Sequence, residues 1–178
     1  MDRALVEQAR GGDSDAFEAI VRSRIDAVYR LSLAILGDEA DARDATQETF
    51  VAAWRRIASL RDADKFEAWL QRIAVNAARM ALRGRRRRLV REIPSDDPTL
   101  ATTSRDLPAD GPSDGERLGR AMRTLNVEQR TILALHHLEG RHLDEVAELL
   151  RIPVGTAKSR LFTARRALEK ALTSEPER

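Results

Sequence analysis

Arg72, Asn76, Arg79, Arg83 and Arg86 recur at steps of 4, 3, 4 and 3. At 100° per residue they form one stripe along a helix. Like charges brought that close repel, and no acidic residue lies between 72 and 91 to neutralise them. The simplest ligand for such a stripe is an external polyanion, DNA or RNA, with Asn76 supplying a donor and an acceptor suited to a base edge. The competing reading is a solvated basic helix end that favours the helix dipole at its C-terminus.

A second set lies near the C-terminus. Ala157, Leu161, Ala164 and Leu168 share one helical face, which turns Gly155, Ser159, Phe162, Thr163 and Arg166 outward, with Thr156, Lys158 and Arg160 beside them. Hydroxyls and cations hold phosphates, an aromatic edge touches a thymine methyl, and Gly155 allows a helix N-terminus to approach a nucleic-acid backbone. Alternatively, Phe162 packs on a neighbouring helix or a partner protein. An acidic face, Asp41, Asp44 and Glu48 with Gln47, is by itself a solvated surface. His136, His137 and His142 lack cysteines and an i, i+4 pairing, so neither a metal nor a cofactor is expected. Tyr29 is the only tyrosine and no glycine-rich phosphate loop is present, leaving nucleophilic catalysis without a candidate. The expectation is a binding protein, not an enzyme.

The elements that must position these residues follow from composition and periodicity. Of 178 residues, 34% are charged, 4% are aromatic and none is cysteine. Scarce aromatics favour helices over strands. The missing cysteines exclude disulfide scaffolds and thiol chemistry, and fit the reducing cytoplasm. No apolar run reaches the roughly 18 residues of a membrane span, and Met1-Asp2-Arg3 opens without a signal-peptide core. The net charge of +2 divides unevenly: residues 1–88 hold 17 Lys and Arg against 14 Asp and Glu, residues 89–115 hold 2 against 6, and residues 116–178 hold 12 against 9. The acidic middle also contains Pro94, Pro98, Pro108 and Pro112. It is expected to be a flexible linker, reaching about 90 Å when extended.

Before the linker, apolar residues from Phe17 to Leu36, from Thr46 to Ile57 and from Phe66 to Met80 predict a three-helix bundle, with Trp54 packed inside. Beyond it, Leu118 to Leu125, Ile132 to Leu138 and Leu143 to Leu150 predict shorter helices. The interruption at Arg151-Ile152-Pro153 and the basic helix that follows give the layout of a helix-turn-helix. The predicted fold is all-α, two small helical domains joined by a flexible acidic linker.

Three stretches then carry a resemblance. Asp44-Ala-Thr-Gln-Glu-Thr-Phe-Val-Ala-Ala-Trp54, Phe66-Glu-Ala-Trp-Leu-Gln-Arg-Ile-Ala-Val-Asn76, and Ile152-Pro-Val-Gly-Thr-Ala-Lys-Ser-Arg-Leu-Phe162 continuing to Leu168 are together similar to the extracytoplasmic-function (ECF) sigma factors of bacteria. The resemblance implies sigma domain 2 over 1–88 and sigma domain 4 over 116–178, without a domain 3. It implies that Asp44, Gln47, Glu48 and Arg55 dock on the β′ clamp helices of core RNA polymerase. It assigns the minus-ten promoter element to Leu60, Arg72, Asn76, Arg79, Arg83 and Arg86. The minus-thirty-five element falls to Thr156, Lys158, Ser159, Arg160, Phe162, Thr163 and Arg166. The implied partners are promoter DNA, core polymerase with its β and β′ subunits, and an anti-sigma factor, with no membrane insertion.

Three positions depart from that pattern: Leu60 where relatives often carry an aromatic, Thr163 where an arginine is frequent, and Pro153 where a capping Ser is common. Two other readings remain open at this level, a stand-alone helix-turn-helix regulator and an adaptor that makes protein contacts only.

Overall fold

The structure, a computed structural model, describes residues 2–91 and 113–174, without the side chains of residues 86–91. Helix α1 (Arg3–Arg10) starts where the Asp2 carboxylate accepts from the Ala4 N–H, and it buries Val6 and Ala9. Helix α2 (Ser14–Leu36) is capped by Asp13, which accepts from the Asp15 and Ala16 N–H groups, and it stops at Gly37, whose φ is 72°. Helix α3 (Glu39–Arg56) is capped by Asp38. Two 3-10 turns, Ile57–Ser59 and Ala63–Lys65, lead into α4 (Phe66–Arg91), which at 26 residues is about 39 Å long.

The second half begins with α5 (Asp114–Thr124) and α6 (Val127–Leu133). Both open on reciprocal caps, Ser113 with Glu116 and Asn126 with Gln129. Such caps satisfy the first orphan N–H groups of a helix. Helix α6 runs into a π turn over Ala134–Leu138, then α7 (Leu143–Leu150) and α8 (Val154–Thr173) follow. Arg151 closes α7 in the left-handed region at φ 56°, and Pro153 starts α8 with its ring-fixed backbone and no side-chain cap. There is no strand among the described residues, so the fold is all-α as expected.

The structure corrects the sequence reading at several points. The first half holds four helices, not three: α1 is too short to show a convincing apolar period, yet Val6 is fully buried. Met80 is 67% exposed and Trp54 42% exposed, where an inward position was expected for both. Of the 89–115 stretch, 89–91 complete α4 and 114–115 begin α5, while 92–112 lie outside the described residues. The sequence left the relative arrangement of the two halves open, and in the structure they touch: α2 lies against α6 and the π turn, and α4 lies against α7. Buried apolar residues from Val6 to Ala164 make one cluster through both.

Candidate nucleic-acid interface

Helix α8 presents its predicted outer face to solvent. Ala157, Leu161 and Ala164 are buried, while Phe162 is 63% exposed. Helical spacing therefore leaves the aromatic ring on open surface and does not pack it on a neighbour. The Arg166 guanidinium carbon lies 5.8 Å from the Phe162 ring centroid, a cation–π distance that holds the two side chains together over one shallow groove. The same groove is lined by Thr163 and Lys170. Lys158, Ser159 and Thr163 are exposed, and Thr156 is half-buried.

Ser159 Oγ donates to the Thr156 carbonyl and Thr163 Oγ1 donates to the Ser159 carbonyl, each at 3.0 Å. Their hydroxyl protons are thus engaged, and the oxygens keep lone pairs that can accept. Arg160 pairs with Glu128 of α6 at 3.2 Å, which fixes the arginine beside a second depression lined by Asn126, Gln129 and Ser159. Apart from its chain neighbours and the backbone of its own helix, no heavy atom of the described residues lies within 4 Å of a β-carbon built on Gly155, so the start of α8 is accessible.

The α4 stripe is brought together as predicted but is not open along its length. Asn76 and Arg83 are exposed and Arg72 and Arg79 half-buried, while the Arg86 side chain lies outside the described residues. Arg72, Val75, Asn76 and Arg79 share a cleft with Leu149, Leu150 and Arg151 at the end of α7. Leu60 is 5% exposed, and its N–H donates to the Ile57 carbonyl at 3.0 Å. An aliphatic residue in this loop folds inward, so as placed it offers no surface to a base, unlike its neighbours on α4.

Helix α3 exposes Asp44, Gln47, Glu48 and Arg55. Buried Thr46 and Thr49 back the acidic face, their hydroxyls donating to the Ala42 and Ala45 carbonyls. Trp54 packs on Phe17 with tilted rings 4.9 Å apart yet is 42% exposed on α3, so it is a surface aromatic. Among the described residues no group of three or more His, Asp or Glu could hold a metal. The histidines serve locally: His136 Nδ1 is 2.8 Å from the Arg141 carbonyl, and His137 Nε2 accepts from Arg165 Nε at 3.2 Å. Burial, followed by the electrostatic influence of His136 and Arg165, lowers the His137 pKa, which favours the neutral form that can accept.

Sequence reasoning missed the residues that join the halves. Gln71 of α4 is buried, donating from Nε2 to Glu139 Oε2 at 2.6 Å and accepting from Arg141 Nε at 2.9 Å. These partners lie 68 and 70 positions away, and no local periodicity encodes such a pairing.

Comparison with known proteins places both halves. Residues 20–88 match Sigma-70 region 2 and residues 115–168 match Sigma-70 region 4. The chain is 33% identical to the RNA polymerase sigma-H factor of Pseudomonas aeruginosa, with 96% of this chain and 93% of that one covered. It is 32% identical to the ECF RNA polymerase sigma factor SigW of Bacillus subtilis, covering 97% of each. It is 35% identical to the ECF RNA polymerase sigma-E factor of Haemophilus influenzae, covering 96% and 95%. Among solved structures, CnrH in complex with the cytosolic domain of CnrY superimposes with a TM-score of 0.71 at 26% identity, covering 98% of this chain and 99% of that one. With its helix-turn-helix, its two cationic helix faces and these full-length likenesses, the chain belongs to the ECF family of RNA polymerase sigma factors.

Proposed function

We propose that this chain confers promoter recognition on core RNA polymerase by reading two DNA elements with two helices, α4 for the minus-ten element and α8 for the minus-thirty-five element. The observation that carries the reading is the open face of α8, where Phe162, Arg166, Lys158 and Ser159 stand exposed on the second helix of a helix-turn-helix. In that geometry the second helix enters the major groove. Arg166 and Lys158 meet phosphates, which set affinity and register. Phe162 meets base edges, which set sequence.

On α4, Asn76, Arg79 and Arg83 track a strand whose bases have left the stack, a task suited to a cationic groove. Melting then needs no covalent chemistry. The protein binds separated strands better than duplex, and that difference shifts the equilibrium. Region 2, assigned to 1–88, also holds polymerase through Asp44, Gln47, Glu48 and Arg55 on α3, with the exposed Trp54 beside them. Region 4 is assigned to 116–178. The protein acts in the cytoplasm, where polymerase and chromosome are, and performs no catalysis itself. An anti-sigma factor is its proposed regulator, because the similarly folded sigma factor RpoE of Bartonella quintana was solved in complex with the anti-sigma factor NepR.

The test is to add the purified chain to core polymerase on a supercoiled promoter library. Start-site-specific transcripts and co-elution with core are expected. Absence of both would overturn the reading and favour a regulator that binds DNA alone.

A further inference from the structure

The α4 face that carries Arg72, Asn76 and Arg79 meets the end of α7 at Leu149, Leu150 and Arg151. Next to that contact, Gln71 bridges an anion and a cation of the other half. It donates to Glu139 at 2.6 Å and accepts from Arg141 at 2.9 Å. Arg141 also donates from Nη1 to Glu145 Oε1 at 3.0 Å, and Glu145 Oε2 accepts from the His142 N–H at 2.9 Å. The chain of bonds therefore runs from the second turn of α4 to the first turn of α7. Each bond to or from a charged group is of the stronger, charge-assisted kind. Gln71, with one acceptor and two donors, can serve both partners at once without carrying a charge into the interface.

At the other end of the contact the roles reverse. Helix α2 ends at Gly37, and a β-carbon there would lie 3.1 Å from Arg123 Cγ and 3.3 Å from Arg130 Nη1. Each half thus offers a helix C-terminus, the negative end of a dipole, to arginines of the other. A helix end carries about half an elementary charge, whereas a DNA phosphate carries a full one. Arg72 Nε and Arg130 Nε are both buried without an acceptor. The closed contact satisfies these arginines only in part.

We propose that Gln71 and Arg141 form an autoinhibitory latch: it holds the free chain closed, with the end of α7 partly covering Arg72 and Arg79 beside the exposed Asn76, and promoter DNA competes with α7 for the two arginines. The latch needs no second protein. It rests on the assignment of α4 to the minus-ten element, and it adds a cost to DNA binding, since apparent affinity falls with the fraction of chains that are open.

The chain contains no cysteine, so dyes can be placed uniquely at Glu18→Cys on α2 and Thr173→Cys at the end of α8. In the free protein, energy transfer between them should drop in Gln71→Ala, and the apparent affinity for a labelled single strand carrying the mapped minus-ten sequence should rise about tenfold, the scale of losing a hydrogen bond to a charged group. Arg141→Lys keeps the charge near Glu145 but loses the Nε donor, and should open the chain part way. Helix content and melting temperature identify a variant that has failed to fold, and the two variants fail independently. Unchanged transfer and unchanged affinity in folded Gln71→Ala and Arg141→Lys would overturn the latch. The promoter reading is scored separately, by start-specific transcription with the unsubstituted chain and core polymerase.

Discussion

At the scale of single residues, the open face of α8 divides labour between an aromatic ring and a cation that touch each other. Phe162 is 63% exposed and lies beside the Arg166 guanidinium at 5.8 Å, so replacing it disturbs no core. Phe162→Ala should therefore change which base pair is preferred at one minus-thirty-five position, by about 1–3 kcal/mol of discrimination. Arg166→Ala should weaken binding to all sequences alike and lower the salt slope by about one. Selection of bound sequences from a randomised minus-thirty-five library at two salt concentrations checks both, and equal effects of the two substitutions on every sequence would refute the division. Phe162 was legible from its neighbours, since Ala157, Leu161 and Ala164 one face away leave it nowhere to go but out. Leu60 was not, because a loop residue has no period to betray its direction, and here it turns into the core at 5% exposure.

At the scale of elements, helix starts are set by residues close in the chain. Asp13, Asp38, Ser113 and Asn126 each accept from the first turn of their helix, and side-chain caps of this kind act within a few residues of the chain. Gly37 does more than end α2. It holds φ at 72°, and its missing side chain leaves room for Arg123 and Arg130. Gly37→Ala should cost about 1–2 kcal/mol from the left-handed backbone alone, measured as a lower urea midpoint with an unchanged slope. A midpoint within error of the original would show that the turn relaxes freely. Helix α1 escaped the sequence reading because eight residues with two buried positions, Val6 and Ala9, do not establish a 3.6-residue period, whereas α4 with 26 residues does.

At the scale of the whole molecule, the basic, acidic, basic distribution of charge hid inside a net +2, and two basic halves would be expected to repel. Apolar contact and the Gln71 bridge outweigh that repulsion, and the buried cluster runs from Val6 to Ala164 through both. Both tryptophans, Trp54 and Trp69, lie in the first half, so their fluorescence follows that half alone while far-UV circular dichroism follows the entire chain. In urea the two signals should trace one coincident transition, the mark of a single cooperative unit. Two separated midpoints in the unsubstituted chain would mean that the halves fold independently and that their contact adds little.

The sequence by itself determined the all-α class, the helix-turn-helix, the arginine stripe on α4 and the exposed ring on α8, because each follows from spacing within one element. Only the tertiary structure decided that Leu60 is buried, that Trp54 reaches the surface, that the end of α7 meets the α4 stripe, and that Gln71 joins Glu139 and Arg141. Those outcomes depend on pairs of residues such as Gln71 and Arg141, 70 positions apart. Helical periodicity relates a residue to its neighbours three and four away, and contacts at that range arise only when whole elements pack.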